Sequence, residues 1–256
     1  MSAAPEVLVD AYDRVLVISL NRPEQKNAMT LAAAHLVAEA VDRLDDSPDL
    51  SVAVLTGAGG TFCAGMDLKR FALGERPALP GRGFGGLVEA PPEKPIIAAV
   101  EGWALGGGCE LALACDLVVA ARGARLGLPE VRRGLVARGG GMIRLPQRLP
   151  RSVAMELLLT GDPIDAERAE RLGLVNRVVP EGQALEAALQ LAGRVAENAP
   201  LAVRCAKAVA SAAPGWPQDE VWRRQAPFSD AVFASQDAQE GARAFVERRE
   251  PKWTGR

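Results

Sequence analysis

The sequence predicts an α/β fold that gives way to an all-helical end, and three observations predict it. Short runs rich in β-branched residues alternate with turns and helical stretches from residue 14 to residue 121. Helical periodicity dominates after Pro150, where strand patterns nearly vanish. The 256 residues are 48% hydrophobic and 24% charged, a composition that supplies a sizeable core and argues against extended disorder.

Each element has a local reason. Residues 14–20 (RVLVISL) read as a strand, broken by Asn21, Arg22 and Pro23. Thr30 has the side chain of an N-cap, and Ala33, Val37, Val41 and Leu44 follow at helical spacing until the polar run 45–48. Residues 51–56 (SVAVLT) make the next strand, closed by the glycine-rich 57–60. The Gly- and Pro-dense segment 80–95 predicts an irregular loop over the surface or over a site. Ile96–Val100 and Leu117–Ala121 read as strands flanking an apolar helix at 109–115. Helices are expected at 153–159, 165–172, Ala184–Ala196, 200–210 and 236–249, with Pro200 suited to a first turn. The organisation is a core over residues 1–195 and a helical region over 196–256.

Charge and composition exclude several classes of function. Thirty Lys and Arg against 32 Asp and Glu leave a net charge of −2, so there is no general attraction to polyanions and nucleic acid is not an expected partner. The apolar stretch 111–121, interrupted by Asp116, falls short of the roughly 20 residues a membrane span needs. Residues 1–10 lack a charged segment followed by an apolar one, so the expected location is cytoplasmic. Cys63, Cys109, Cys115 and Cys205 show no metal-ligand spacing and read as reduced, mostly buried thiols. The single histidine, His35, shares the polar helix face with Glu39 and Asp42, which gives histidine triads and histidine-rich zinc sites little support.

Acid–base chemistry must then come from other groups, and carboxylates are the best placed. Glu110 lies just inside an apolar helix, and Glu130 sits in the apolar segment LGLPE. Such a carboxylate either forms a structural ion pair or has its pKa raised by desolvation, which suits proton transfer near neutral pH. Two glycine-rich turns, residues 57–66 (GAGGTFCAGM) and 102–110 (GWALGGGCE), are either tight turns or presenters of backbone N–H groups. The second opens a helix, whose N-terminus favours an anion or a developing oxyanion. Neither carries the Gly-Lys-Ser/Thr of a nucleotide-triphosphate loop.

Residues 61–69 (TFCAGMDLK), 102–112 (GWALGGGCELA) and Cys115–Asp116 resemble the two oxyanion-hole motifs of the enoyl-CoA hydratase/isomerase (crotonase) family. The likeness continues through Asn21-Arg22-Pro23, Asn27-Ala28, Leu128-Pro129-Glu130, Leu159-Thr160-Gly161, Leu172 to Asn176 and the ending from Ala244 to Trp253, covering essentially the whole chain. It implies a crotonase-like superhelical core of repeated ββα turns and a C-terminal helical region that assembles trimers, often paired as hexamers. It also implies acyl-CoA thioester substrates, a place in fatty acid metabolism, and no cofactor beyond the coenzyme A that the substrate carries.

Position by position, the resemblance gives the Met66 and Gly107 N–H groups to the oxyanion hole and Glu110 and Glu130 to the catalytic pair. Lys26, Ala28, Ala64, Asp67, Leu68 and Lys69 fall where family members hold coenzyme A, and Arg248 is expected near a neighbouring subunit's coenzyme A. Water addition to a 2-enoyl thioester builds charge on the carbonyl oxygen, and two fixed donors stabilise it by roughly 3–4 kcal/mol each. Glu110 is assigned mainly to activating water and Glu130 mainly to protonating the α-carbon. Arg138 departs from the family pattern by placing a cation where a glycine often lies near the reaction centre. Three alternatives stand beside hydration: Δ3,Δ2-enoyl-CoA isomerisation, a carnitinyl-CoA dehydratase-like reaction, and acyl-CoA binding with weak catalysis.

Overall fold

The computed structural model describes residues 4–256; the first three positions of the 1–10 stretch and of the 1–195 core lie outside the described residues. β1 (Val7–Tyr12) and β2 (Val15–Leu20) form an antiparallel hairpin that turns at Asp13, φ 50°. α1 (Leu31–Asp46) starts where Thr30 Oγ1 accepts the Ala33 N–H at 3.0 Å, as the sequence predicts. β3 (Val52–Gly57) then returns parallel to β2. α2 (Leu68–Ala72) and a small hairpin of β4 (Ala78–Leu79) and β5 (Gly83–Phe84) lead through the irregular segment.

The next stretch shows the repeat on which the architecture is built. β6 (Ile96–Val100), β7 (Trp103–Leu105) and α3 (Gly107–Ala114) make one ββα turn, and β8 (Leu117–Ala121) with β9 (Arg125–Gly127) begin the following one. β6 pairs in parallel with β8, and β7 in parallel with β9, so successive turns stack as a spiral with two strand layers. α4 (Gly141–Arg148), α5 (Arg151–Thr160), β10 (Ile164–Asp165), α6 (Ala166–Arg171), β11 (Arg177–Val179) and α7 (Ala184–Ala196) close the core. α8 (Pro200–Ala212), α9 (Val221–Phe233) and α10 (Gln236–Glu247) follow.

The large sheet runs β1-β2-β3-β6-β8-β11 and is parallel apart from the first hairpin. Its last strand corrects the expectation that strands nearly vanish after Pro150. β11 has only three residues, too few to show a two-residue period. It is fixed instead by tertiary pairing, with Asn176 exchanging bonds with Val118 through its backbone N–H and its side-chain oxygen, both at 2.8 Å. The small sheet runs β10-β9-β7 and is extended by bridges from Cys63 to Ala104 and from Met29 to Met66.

Both faces of the large sheet are covered, as parallel strands require. Val52, Val54, Ile97, Ala99, Val119 and Ala121 meet α7 through Ala184, Ala188 and Ala192, a small-residue face spaced four apart. Ala53, Leu55, Ile96, Ala98, Val118 and Ala120 face the main core with α1 and α3. Leu55, fully buried there, contributes about 2 kcal/mol by leaving water. Among the described residues no helix is long and apolar enough to cross a membrane.

The C-terminal helices end in a strap. Asp237 accepts the N–H groups of Thr254 at 2.7 Å and Gly255 at 2.9 Å, and Trp253 Nε1 donates to Glu197 O at 2.7 Å, at the end of α7. On α9 and α10, Trp222, Phe233, Phe245 and Val246 are largely exposed.

Candidate active site

The two glycine-rich turns are side by side because the small sheet joins them. Cys63 N donates to Trp103 O at 2.8 Å and Leu105 N to Cys63 O at 3.0 Å. Gly65, φ 100°, lies so close to the second turn that a Cβ there would stand 2.8 Å from Leu105 O and 3.4 Å from Gly107 N. On the other side, Met29 N donates to Gly65 O and Asp67 N to Met29 O, which turns the intervening Met66 N–H away from the ladder. Gly107 is the first residue of α3. Among the described residues neither the Met66 nor the Gly107 N–H has a hydrogen-bond acceptor in the protein. Two neighbouring donors, one at a helix N-terminus, make a cradle for an oxyanion.

The carboxylates come to the same place through β7 and β9. Leu105 stands opposite Gly127, and Gly106 N donates to Gly127 O at 2.9 Å, so the segment after β9 begins beside the start of α3. Pro129 opens a 3-10 turn that presents Glu130, and a Cβ on Gly106 would lie 3.3 Å from Glu130 Oε1. Glu110 projects from α3 toward Gly141, whose N–H donates to Glu110 Oε1 at 2.9 Å. Both carboxylates push up the pKa of Cys109, which burial already raises strongly.

The surroundings prepare both groups for proton transfer. Burial pushes the Glu110 carboxyl up to about 7; the Glu130 charge adds to the rise, while the Gly141 and Gly139 N–H groups and Arg144 oppose it. Burial also raises Glu130, whose Oε2 is buried without a hydrogen-bond partner. Both carboxyls are thus held above their usual range, and Glu110, at about 7, is fit to give and take a proton near neutral pH. Cys63 and Cys115 are pushed up to about 12 by burial and are protonated there, which removes them as nucleophiles.

A family model described as enoyl-CoA hydratase/isomerase matches residues 10–256. The chain belongs to the enoyl-CoA hydratase/isomerase family. An enoyl-CoA hydratase of Mycobacterium tuberculosis of known structure is 55% identical, with a TM-score of 0.97, over 99% of this chain and 100% of that one. The enoyl-CoA hydratase EchA19, also of Mycobacterium tuberculosis, is 38% identical over 100% of this chain and 99% of its own length. A carnitinyl-CoA dehydratase of Proteus mirabilis is 42% identical over 94% of this chain and 95% of its own. The spiral of ββα turns is thus the crotonase fold.

The remaining residues that the crotonase motifs single out divide into two places. Lys26, Ala28, Ala64, Asp67, Leu68 and Lys69 lie on adjoining segments: Ala64 N donates to Lys26 O at 3.0 Å, and Asp67 caps α2 by accepting the Lys69 and Arg70 N–H groups. Lys26, Leu68 and Lys69 are exposed, whereas Asp67 is buried and ion-paired with Arg22 at 3.0 Å. Burial pushes the Asp67 pKa up, but the Arg70 N–H and Arg22 together hold it below the usual range. Arg248 lies apart on the exposed end of α10 with φ 53°, and α10 packs on α9.

Arg138 is exposed and without a side-chain partner among the described residues, whereas Gly139 and Gly141 lie against Glu110. Sequence reasoning missed three contributors. Phe84 stacks so tightly on Gly107 that a Cβ there would be 2.2 Å from its ring. Arg22 donates to Ala28 O and to Asp67, joining the segment around Lys26 and Ala28 to the one from Ala64 to Lys69. Arg144 donates to Val88 O at 2.6 Å beside the Glu110 turn. Only the Asn-Arg-Pro motif carried a signal for one of them; a lone Phe in a loop and an Arg in an amphipathic helix carry none.

Proposed function

We propose that this enzyme adds water reversibly across the 2,3-double bond of an enoyl-CoA thioester. The observation that carries the reading is the pair of buried Glu110 and half-buried Glu130, both with raised pKa, beside the unpaired N–H groups of Met66 and Gly107. The thioester oxygen takes the two N–H donors and collects charge as water attacks the β-carbon. Glu110 removes the proton from that water, and Glu130 delivers a proton to the α-carbon. The oxygen of water ends on the β-carbon, its two hydrogens are accounted for, and a proton passing from Glu110 to Glu130 resets the pair. Isomerisation needs a single proton shuttle and leaves one of these carboxylates without a task.

Lys26, Ala28, Ala64, Asp67, Leu68, Lys69 and, from a neighbouring subunit, Arg248 are proposed to hold the coenzyme A portion, so no separate cofactor is invoked. A trimer or a pair of trimers is proposed in the cytoplasm, supported by the exposed Trp222, Phe233, Phe245 and Val246 on α9 and α10. The 42% identity to a carnitinyl-CoA dehydratase supports a second reading, water elimination from a polar acyl-CoA, which uses the same groups in reverse. Following 3-hydroxyacyl-CoA formation from a panel of linear, branched and polar enoyl-CoAs, with affinity measured in parallel, tests both. Turnover of a polar member alone favours the second; tight binding with no turnover leaves only an acyl-CoA-binding protein.

A further inference from the structure

We propose that Arg144 is a positioning residue for the water-activating carboxylate, a strut between the loop that carries Phe84 over Gly107 and the turn that holds Glu110. The inference rests on the hydration reading. Arg144 projects from α4, one turn beyond Gly141, and its guanidinium reaches two backbone carbonyls at once. Nη2 donates to Val88 O at 2.6 Å and Nη1 to Gly139 O at 3.4 Å. Val88 ends a segment seated firmly on the core. A Cβ at Gly86 would be 2.2 Å from Ala34 O, one at Gly85 would be 2.9 Å from the Leu111 side chain, and Leu87 and Val88 are fully buried. Gly139 begins the turn in which Gly141 N–H meets Glu110 Oε1. The strut therefore fixes the N–H that holds Glu110 against a segment packed rigidly on the core.

The charge of Arg144 acts on Glu110 as well. Glu110 is faced by Glu130 from the 3-10 turn, by Cys109 from its own helix and by Arg144 from α4. Arg148 acts on Arg144 as a like charge, and Arg133 on Glu130 as an opposite one. The loop that ends at Val88 is followed by Glu89, which is exposed. Arg144 is thus the cation that favours ionised Glu110 against its burial and against Glu130. A lysine keeps the charge but has no planar fork to bridge two carbonyls.

The test measures kcat against pH for wild type, Arg144→Met and Arg144→Lys. It also titrates Glu110 directly in the free protein by infrared difference spectroscopy, with Glu110→Gln as the reference. Arg144→Met is expected to move the acidic limb and the Glu110 carboxyl band to higher pH. The loss of kcat relative to wild type is about five- to ten-fold at pH 7 and less than about two-fold at pH 9. Arg144→Lys should return the limb most of the way. An equal loss at every pH, or an unmoved carboxyl band, overturns the proposal and leaves Arg144 a packing residue. Arg144→Gln, which keeps one donor for Val88, supplies the neutral variant if Arg144→Met does not fold. If wild type hydrates no enoyl-CoA, the hydration reading fails, while the infrared titration still decides the role of Arg144.

Discussion

The backbone N–H of Gly141 donates to Glu110 Oε1 at 2.9 Å, across 31 residues of chain. A buried carboxylate held by backbone donors with a second carboxylate nearby stays poised between ionised and protonated forms, which is the condition for a base working near neutral pH.

Glu110→Gln and Glu130→Gln keep side-chain size and remove the proton carrier. Each is expected to lower kcat by about 10² to 10⁴ while acyl-CoA affinity holds. The double variant should lose far less than the product of the two if, as proposed, both groups serve one water addition. Normal hydration by Glu110→Gln with an inactive Glu130→Gln points instead to a single-base isomerase.

The acidic limb of the kcat profile should fall near pH 7, where Glu110 gains the proton that stops it from activating water. Loss of activity only below pH 5 contradicts this assignment.

The same carboxyl makes a thermodynamic prediction of opposite sense to a surface salt bridge. Its folded pKa, about 7, lies above the ordinary 4.5, so the folded state holds the proton more tightly. The cost of burying the charge is absent below pH 4.5, grows through that interval and is complete above pH 7, where it is about 3 kcal/mol. Glu110→Gln should therefore raise the melting temperature at pH 8 and leave it nearly unchanged at pH 4. Equal effects at both values argue against the shift.

Gly65→Ala puts a Cβ 2.8 Å from Leu105 O at a φ of 100°. It is expected to part the two oxyanion donors and reduce kcat at least 10²-fold, with a smaller effect on KM. Unchanged kcat in a folded variant removes the Met66–Gly107 pair from the chemistry.

Deleting the chain beyond Ser229 removes the last turn of α9, α10 and the strap. Sedimentation should show loss of the trimer or hexamer, and calorimetry a weaker grip on acyl-CoA at the same time. Full affinity in a monomer removes Arg248 from the coenzyme A site.

Local patterns determined a good part of this protein. Ile96–Val100, Leu117–Ala121 and Ala184–Ala196 are legible to the residue, and Thr30 announces its helix, because burial, period and capping act within one or two turns of chain. The glycine-rich turns and the two glutamates are visible as residue types suited to oxyanion and proton chemistry, and their motifs carry the family. Only the tertiary structure decided that they meet. Gly106 stands beside Gly127 through the β7–β9 ladder, and Gly65 beside Gly107 through the Cys63–Ala104 bridge. Backbone ladders have no side-chain signature linking their partners, which is also why the three-residue β11 was invisible. Arg138, suspicious by position, points to solvent, while Arg144, unremarkable by position, reaches the turn that holds Glu110. Helix phase and long-range packing set those directions, and neither is written in the neighbouring residues.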